Sequence, residues 1–174
     1  MALIVEDGTG RPDSEAYRSV ADHRTYCAAR GIDLGSLSDT DLEQDARVAT
    51  DFMVQSFRYR WAGERATNTQ ALDFPRHLIP IKDGPGSFAS TVTYYPHDRV
   101  PTEVGNAQSE LMNRARAGAL APDQTRAIIT ETTGPITTTY DKNSPEAPRY
   151  RAVHMMLRPF LKNGGAGTVG VVRC

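Results

Sequence analysis

The stretch from Ser38 to Phe57 restricts the fold of this chain more than any other. Ser38-Asp39-Thr40-Asp41 sets a hydroxyl cap and then acids opposite the free N–H groups of a helix start. Leu42, Ala46, Ala49, Phe52, Met53 and Phe57 then recur at three- and four-residue steps. This spacing predicts a helix running to about Phe57 that carries much of the core. The chain has 174 residues, the length of one domain, and can bury a core without disulfides.

The rest reads around that helix. Ala2 to Glu6 predicts a short strand, followed by a loop marked by Gly8, Gly10 and Pro12. Ser19 is a candidate N-cap for a short first helix through Tyr26 and Cys27, stopped by Gly31. From Gly63 to Pro101 the prolines 75, 80, 85, 96 and 101 exclude a helix. Asp73-Phe74-Pro75-Arg76 reads there as a fixed corner with the Phe74 ring packed down, and Ser87 to Tyr95 as a candidate strand. A long loop of this kind in a compact domain is usually functional. Pro101-Thr102-Glu103 opens a third helix, with Val104, Ala107, Leu111, Met112, Ala115 and Ala119 as its apolar stripe and Pro122 as its stop. Residues 126–140, rich in Thr and Ile around Gly134-Pro135, predict a hairpin. Tyr150, Val153, Met156, Leu157, Phe160 and Leu161 predict a last amphipathic helix, kinked or shortened by Pro159. The fold class expected is mainly α: a small helical bundle over 1–163, with an inserted loop at about 75–100 and a hairpin at about 126–140. Residues 164–174 then form a tail. Its Gly164, Gly165 and Gly167 read as a hinge, and the β-prone Thr168–Cys174 as a strand to be added to another protein's sheet edge.

Several function classes find no support. No apolar run is long enough to span a bilayer, and the N-terminus lacks a secretory pattern, so the chain is expected to stay on the side of the membrane where it is made. Phosphate-cradle and nucleophile-elbow motifs are missing, and His23, His77, His97 and His154 are scattered without ligand spacing. His77, beside Arg76, and His97, beside Asp98, read as ordinary surface histidines. Asp39, Asp41, Glu43 and Asp45 point to different faces of one helix and read as helix-start charge rather than a metal site. Cys27 reads as a small buried hydrophobe, and Cys174 shares no motif with it. No enzyme, cofactor or metal is expected.

Charge is unevenly spread. The formal net charge is −1, which argues against a dedicated nucleic-acid binder, yet residues 1–56 hold 5 basic and 11 acidic side chains and residues 142–174 hold 6 basic and 1 acidic. An acidic and a basic end could pair head to tail between copies, or simply be solvated on two faces. Phe57-Arg58-Tyr59-Arg60-Trp61 alternates aromatic residues with Arg, the composition of a single-strand surface where bases stack on rings and Arg meets phosphate. The other reading packs Tyr59 and Trp61 on the helix end and sends both Arg residues to solvent. It is favoured, because an extended basic groove is lacking.

In their order, several segments resemble a tailed-phage family known as DnaT-like single-stranded DNA-binding. They are residues 3–10, 14–22, 46–57, 59–63, 69–76, 100–104 and the basic-to-Gly-rich ending through Arg173. Its members are also similar to head–tail connector, or adaptor, proteins of long-tailed phages, small helical subunits that form a ring beneath the portal. The connector resemblance implies a structural virion protein of the neck, assembled in the host cytoplasm. Its partners would be copies of itself in a ring, typically of twelve, the portal and a downstream neck or tail-terminator protein, with DNA passing unread through the lumen. It implies portal docking by Thr168, Val169, Val171, Val172 and Arg173 with Arg158 and Lys162, and contact with the next ring by Ser87, Thr91, Tyr94, Thr132 and Thr133. The family's own label implies instead an accessory protein of phage replication that binds single-stranded DNA through Arg58, Tyr59, Arg60 and Trp61. The connector is the expectation adopted, with single-strand binding as its alternative.

Overall fold

A computed structural model of the chain describes residues 2–81, 92–122, 130–133, 136–139 and 150–162. Among these residues are four helices: α1 (Val20–Ala28), α2 (Asp39–Phe57), α3 (Thr102–Ala115) and α4 (Arg151–Leu157). Two short antiparallel pairs join them, β1 (Glu64–Arg65) with β2 (Arg76–His77) and β3 (Thr130–Thr133) with β4 (Ile136–Thr139). The fold is mainly α, and no described helix is long and apolar enough to cross a membrane.

Helix α2 forms where its spacing predicts. The Ser38 hydroxyl accepts the Asp41 N–H, and the Asp41 carboxylate accepts the Ser38 N–H, so a reciprocal cap closes the first turn. Leu42, Ala46, Ala49, Met53 and Phe57 are all buried; α2 packs on α3 and α3 on α4, and Val104, Ala107, Leu111, Val153 and Leu157 join the same core. The buried Gln108 side chain of α3 crosses that interface. Its Nε2 donates to Thr50 Oγ1 at 3.0 Å and its Oε1 accepts the Tyr17 N–H at 3.0 Å. Helix α1 contributes a polar face instead: Tyr26 donates to Glu110 at 2.7 Å and Arg24 holds Asp39 and the Leu37 carbonyl. Cys27 is buried but not inert packing alone, since its thiol reaches Asn113 Oδ1 at 3.5 Å beside His23.

Three expectations are corrected. The strand at Ala2–Glu6 reduces to one bridge between Val5 and Ala16. The reason is that Glu6 turns inward, where its carboxylate accepts the N–H groups of Gly8, Gly10 and Arg11 and the Ser14 hydroxyl, closing the loop on itself. Helix α3 stops at Ala115, because Ala117, Gly118 and Ala119 lie exposed and Leu120 is the next side chain to reach the core. The last helix is shortened at its proline as expected: it ends at Leu157 and tightens into a single 3-10 turn at Arg158–Phe160, with Pro159 unable to donate to the α ladder. His77 and His97 are not separate surface groups: their rings stack with centroids 4.4 Å apart. The expected hairpin pairs Thr133 with Ile136 and Thr130 with Thr139, its Gly134-Pro135 lying outside the described residues. The Asp73–Arg76 corner carries a cis Phe74–Pro75 bond, and the Phe74 ring is buried against Trp61, Tyr17 and Phe160.

Candidate nucleic-acid interface

Where α2 runs out, the chain makes a tight turn through Arg58, Tyr59 and Arg60, held by the Arg60 N–H donating to the Phe57 carbonyl at 2.8 Å. The four residues of the aromatic/Arg cluster part company here. Trp61 is 1% exposed and packs on Phe57 and Phe74, so its ring offers no face to a base. Tyr59 is 90% exposed. Arg58 turns back to pair with Asp73 at 3.1 Å, and Arg60 reaches solvent with its guanidinium edging the Phe57 ring. Both readings of the cluster are therefore corrected at one residue or more. The packed reading fails at Tyr59, which nothing covers, and at Arg58, which is tied down. The stacking reading fails at Trp61, because a large apolar ring next to a core helix gains more from burial, about 2–3 kcal/mol, than from water.

What lies beside the turn comes from the far end of the chain. Trp61 bridges Leu161 in antiparallel fashion, the Lys162 N–H donating to the Arg60 carbonyl and the Ala62 N–H to the Phe160 carbonyl, each at 2.8 Å. With Trp61 and Leu161 both turned into the core, Arg60 and Lys162 sit opposite each other and both are exposed. Upstream, Arg151, Met155 and Arg158 recur at helical spacing along the exposed side of α4 and its 3-10 turn. Residues 150–162 contain no acidic side chain. Arg60, Arg151 and Lys162 make no ion pair with a described residue. The surface is thus an exposed ring flanked by a basic ridge, with Met155 as an apolar patch 64% exposed along it.

The ground under this surface is stiff. Arg65 donates to the carbonyls of Gln70, Ala71 and Leu72, and the buried Arg76 donates to those of Ala62, Gly63 and Asp73. Burial lowers the Arg76 pKa, but the carbonyl oxygens around it satisfy its N–H groups. Gly63 has a φ of 65°, and a Cβ there would stand 2.1 Å from the His77 carbonyl oxygen, so the closeness of β1 to β2 requires glycine. Asp73, 1% exposed, accepts from Arg58 Nε through one oxygen and from Trp61 Nε1 through the other, each at 3.1 Å. Sequence reasoning named Arg58 to Trp61 but missed Asp73 and the pairing of Arg60 with Lys162. The pairing left no sequence signal, since it joins segments from opposite halves of the chain.

Other candidate residues fall elsewhere. Tyr94 is half exposed and bridges Pro80, away from any ring contact with Tyr59. Thr132 and Thr133 lie in β3, opposite Thr137 and Ile136. Ser87, Thr91, Gly164, Gly165, Gly167, Thr168, Val169, Val171, Val172 and Arg173 lie outside the described residues. Among those described, no group of three or more His, Cys, Asp or Glu could hold a metal ion.

The model of a family described as "Putative DnaT-like ssDNA binding protein" matches residues 1–174. No curated protein and no solved structure matches the chain. The match corrects the connector expectation: the family's description names single-stranded DNA binding, and nothing supports a virion neck role. The partners expected with that role are corrected with it. A ring of copies, a portal, a downstream ring protein and DNA passing unread through a lumen have no support, whereas DNA as a bound ligand has. Arg158 and Lys162, expected at a portal, stand instead beside Arg60 and along α4.

Proposed function

Because the chain belongs to the family of DnaT-like ssDNA binding proteins, we propose that it binds single-stranded DNA and does so on the surface around Tyr59. The observation that carries the placement is a tyrosine ring 90% exposed beside Arg60 and Lys162, two cations drawn together by the Trp61–Leu161 bridge. A base stacks on Tyr59, and phosphates on either side meet Arg60 and Lys162, with Arg151 and Arg158 continuing the backbone path along α4. Stacking requires an unpaired base with a free face, which a duplex does not present, so the surface favours single strands. Contacts of this kind read phosphate and ring rather than base edges, and the binding is tolerant of sequence.

The test is fluorescence anisotropy of a labelled oligothymidylate, with unlabelled duplex as competitor. Tyr59→Ala is expected to weaken binding about 5- to 100-fold, the range for loss of one base–aromatic stack. The wild-type chain should prefer the single strand over the duplex. Binding by the wild type that survives both Tyr59→Ala and the Arg60→Ala/Lys162→Ala pair would move the interface elsewhere. No binding by the wild type would end the single-strand reading.

A further inference from the structure

One buried carboxylate grips the 58–61 turn on both sides of its exposed tip. Asp73 Oδ1 accepts from Arg58 and Oδ2 from Trp61, the residues immediately before and after Tyr59 and Arg60. Both oxygens are engaged, by two N–H donors on one turn. Asp73 is itself fixed from behind: its N–H donates to the Tyr17 hydroxyl at 3.0 Å and its carbonyl accepts from Arg76 at 3.1 Å. Tyr17 is buried, and its hydroxyl is held protonated by that burial. The bridge to residues 160–162 holds the backbone of Arg60 to Ala62 from the other side. Nothing else described holds the Trp61 indole N–H, and among the described residues the Arg58 guanidinium has one further partner, the Ala71 carbonyl.

We propose that Asp73 is a positioning residue for single-strand binding: by holding Arg58 and Trp61 it presents Tyr59 and Arg60 already ordered to the strand. The inference rests on the single-strand reading above. A turn that must order itself on binding gives up part of the contact energy as lost conformational freedom, and a turn ordered beforehand does not. Asp73 acts through its neighbours and touches no DNA. Its charge also leaves the cationic tip free, because Asp73 is buried and neutralises Arg58 rather than Arg60.

Asp73→Asn tests this with little change of volume. An amide offers one oxygen acceptor and one NH₂ donor to two N–H donors, so one of the two bonds must be lost. Trp61 is the sole tryptophan, so its fluorescence reports on the turn without any DNA. Two results are expected in Asp73→Asn protein with a wild-type circular dichroism spectrum. Acrylamide quenching of Trp61 rises in the free protein, and affinity for oligothymidylate falls about tenfold, the scale of losing preorganisation in one short turn. In a Tyr59→Ala/Arg60→Ala background the same change should cost nothing further, because both groups it positions are gone. Unchanged quenching and affinity, or a full loss repeated in the Tyr59→Ala/Arg60→Ala background, would overturn the positioning role and leave single-strand binding intact. A wild-type chain that fails to bind oligothymidylate would overturn the binding reading and the positioning role together, whatever the quenching shows. If Asp73→Asn does not fold, Trp61→Phe removes one of the bonds from the turn side and keeps a smaller aromatic ring in the core, and the affinity comparison is made with it.

Discussion

At the scale of single residues, Arg is the instructive case. Of 20 basic residues 17 are Arg, which counted alone would suggest a surface rich in positive charge. Arg58, Arg65 and Arg76 show another use, as multi-donor clamps that satisfy the carbonyls of a loop poor in regular structure. They add to the count of positive charge without adding to any binding surface. His23 is a residue whose titration bears on stability. Burial, then the nearby Arg18 and Arg24, lowers its pKa to about 4. The unfolded chain binds a proton there near pH 6.5 and the folded one does not until about pH 4. Stability is therefore full above pH 6.5 and falls as pH drops from 6.5 towards 4, by at most about 3 kcal/mol from this group. Urea unfolding across that window should show the decline, and His23→Gln should flatten it. A decline of equal size in His23→Gln would assign it to other groups.

At the scale of elements, the helices obey their sequence and the connections obey their neighbours. The cap at Ser38 and the stripe from Leu42 to Phe57 are local, so α2 begins and ends where the pattern says. The β1–β2 pair has two residues a strand and no propensity signal of its own. It exists because Gly63 lets the two segments approach and because Arg65 and Arg76 bind the loop that separates them. Gly63→Ala should accordingly be far worse than an ordinary surface change, costing about 2–4 kcal/mol from the left-handed backbone and the clash with the His77 carbonyl. Its measure is the urea midpoint at neutral pH. A loss below about 1 kcal/mol would show that the pair opens without consequence for the fold.

At the scale of the whole molecule, net charge misleads. The value of −1 averages an acidic first third against a basic last segment. In the fold, the basic residues of 151–162 gather with Arg60 on one side, whereas acids such as Glu15, Asp39 and Glu110 are engaged by Arg47, Arg24 and Arg114. The local field at a ridge, not the sum over the chain, sets whether phosphate binds there. If Arg60, Arg151 and Lys162 each neutralise one phosphate, the logarithm of affinity should fall against the logarithm of salt with a slope of about −2, at about −0.7 per contact on a single strand. Titrations from low to moderate salt measure it, and Arg60→Ala/Lys162→Ala should reduce the slope by about 1.4. A slope unchanged in that variant would exclude both cations from the phosphate path.

The sequence by itself determined where the helices lie, the Phe74 corner and the hairpin pairing, because caps, three- and four-residue spacing and proline act within a few neighbours. It also marked 57–61 as the one aromatic/Arg cluster. Which of those rings packs and which faces water was not legible, since Tyr59 and Trp61 have similar chemistry and differ in what the fold brings to them. Trp61 meets Phe74, Asp73 and Leu161, all distant in sequence or reached through a turned corner, while Tyr59 meets nothing described. The pairing of Arg60 with Lys162 is decided at the same level. Two segments about a hundred residues apart are joined by backbone hydrogen bonds, which every residue type but proline can make and which leave no trace in side-chain pattern.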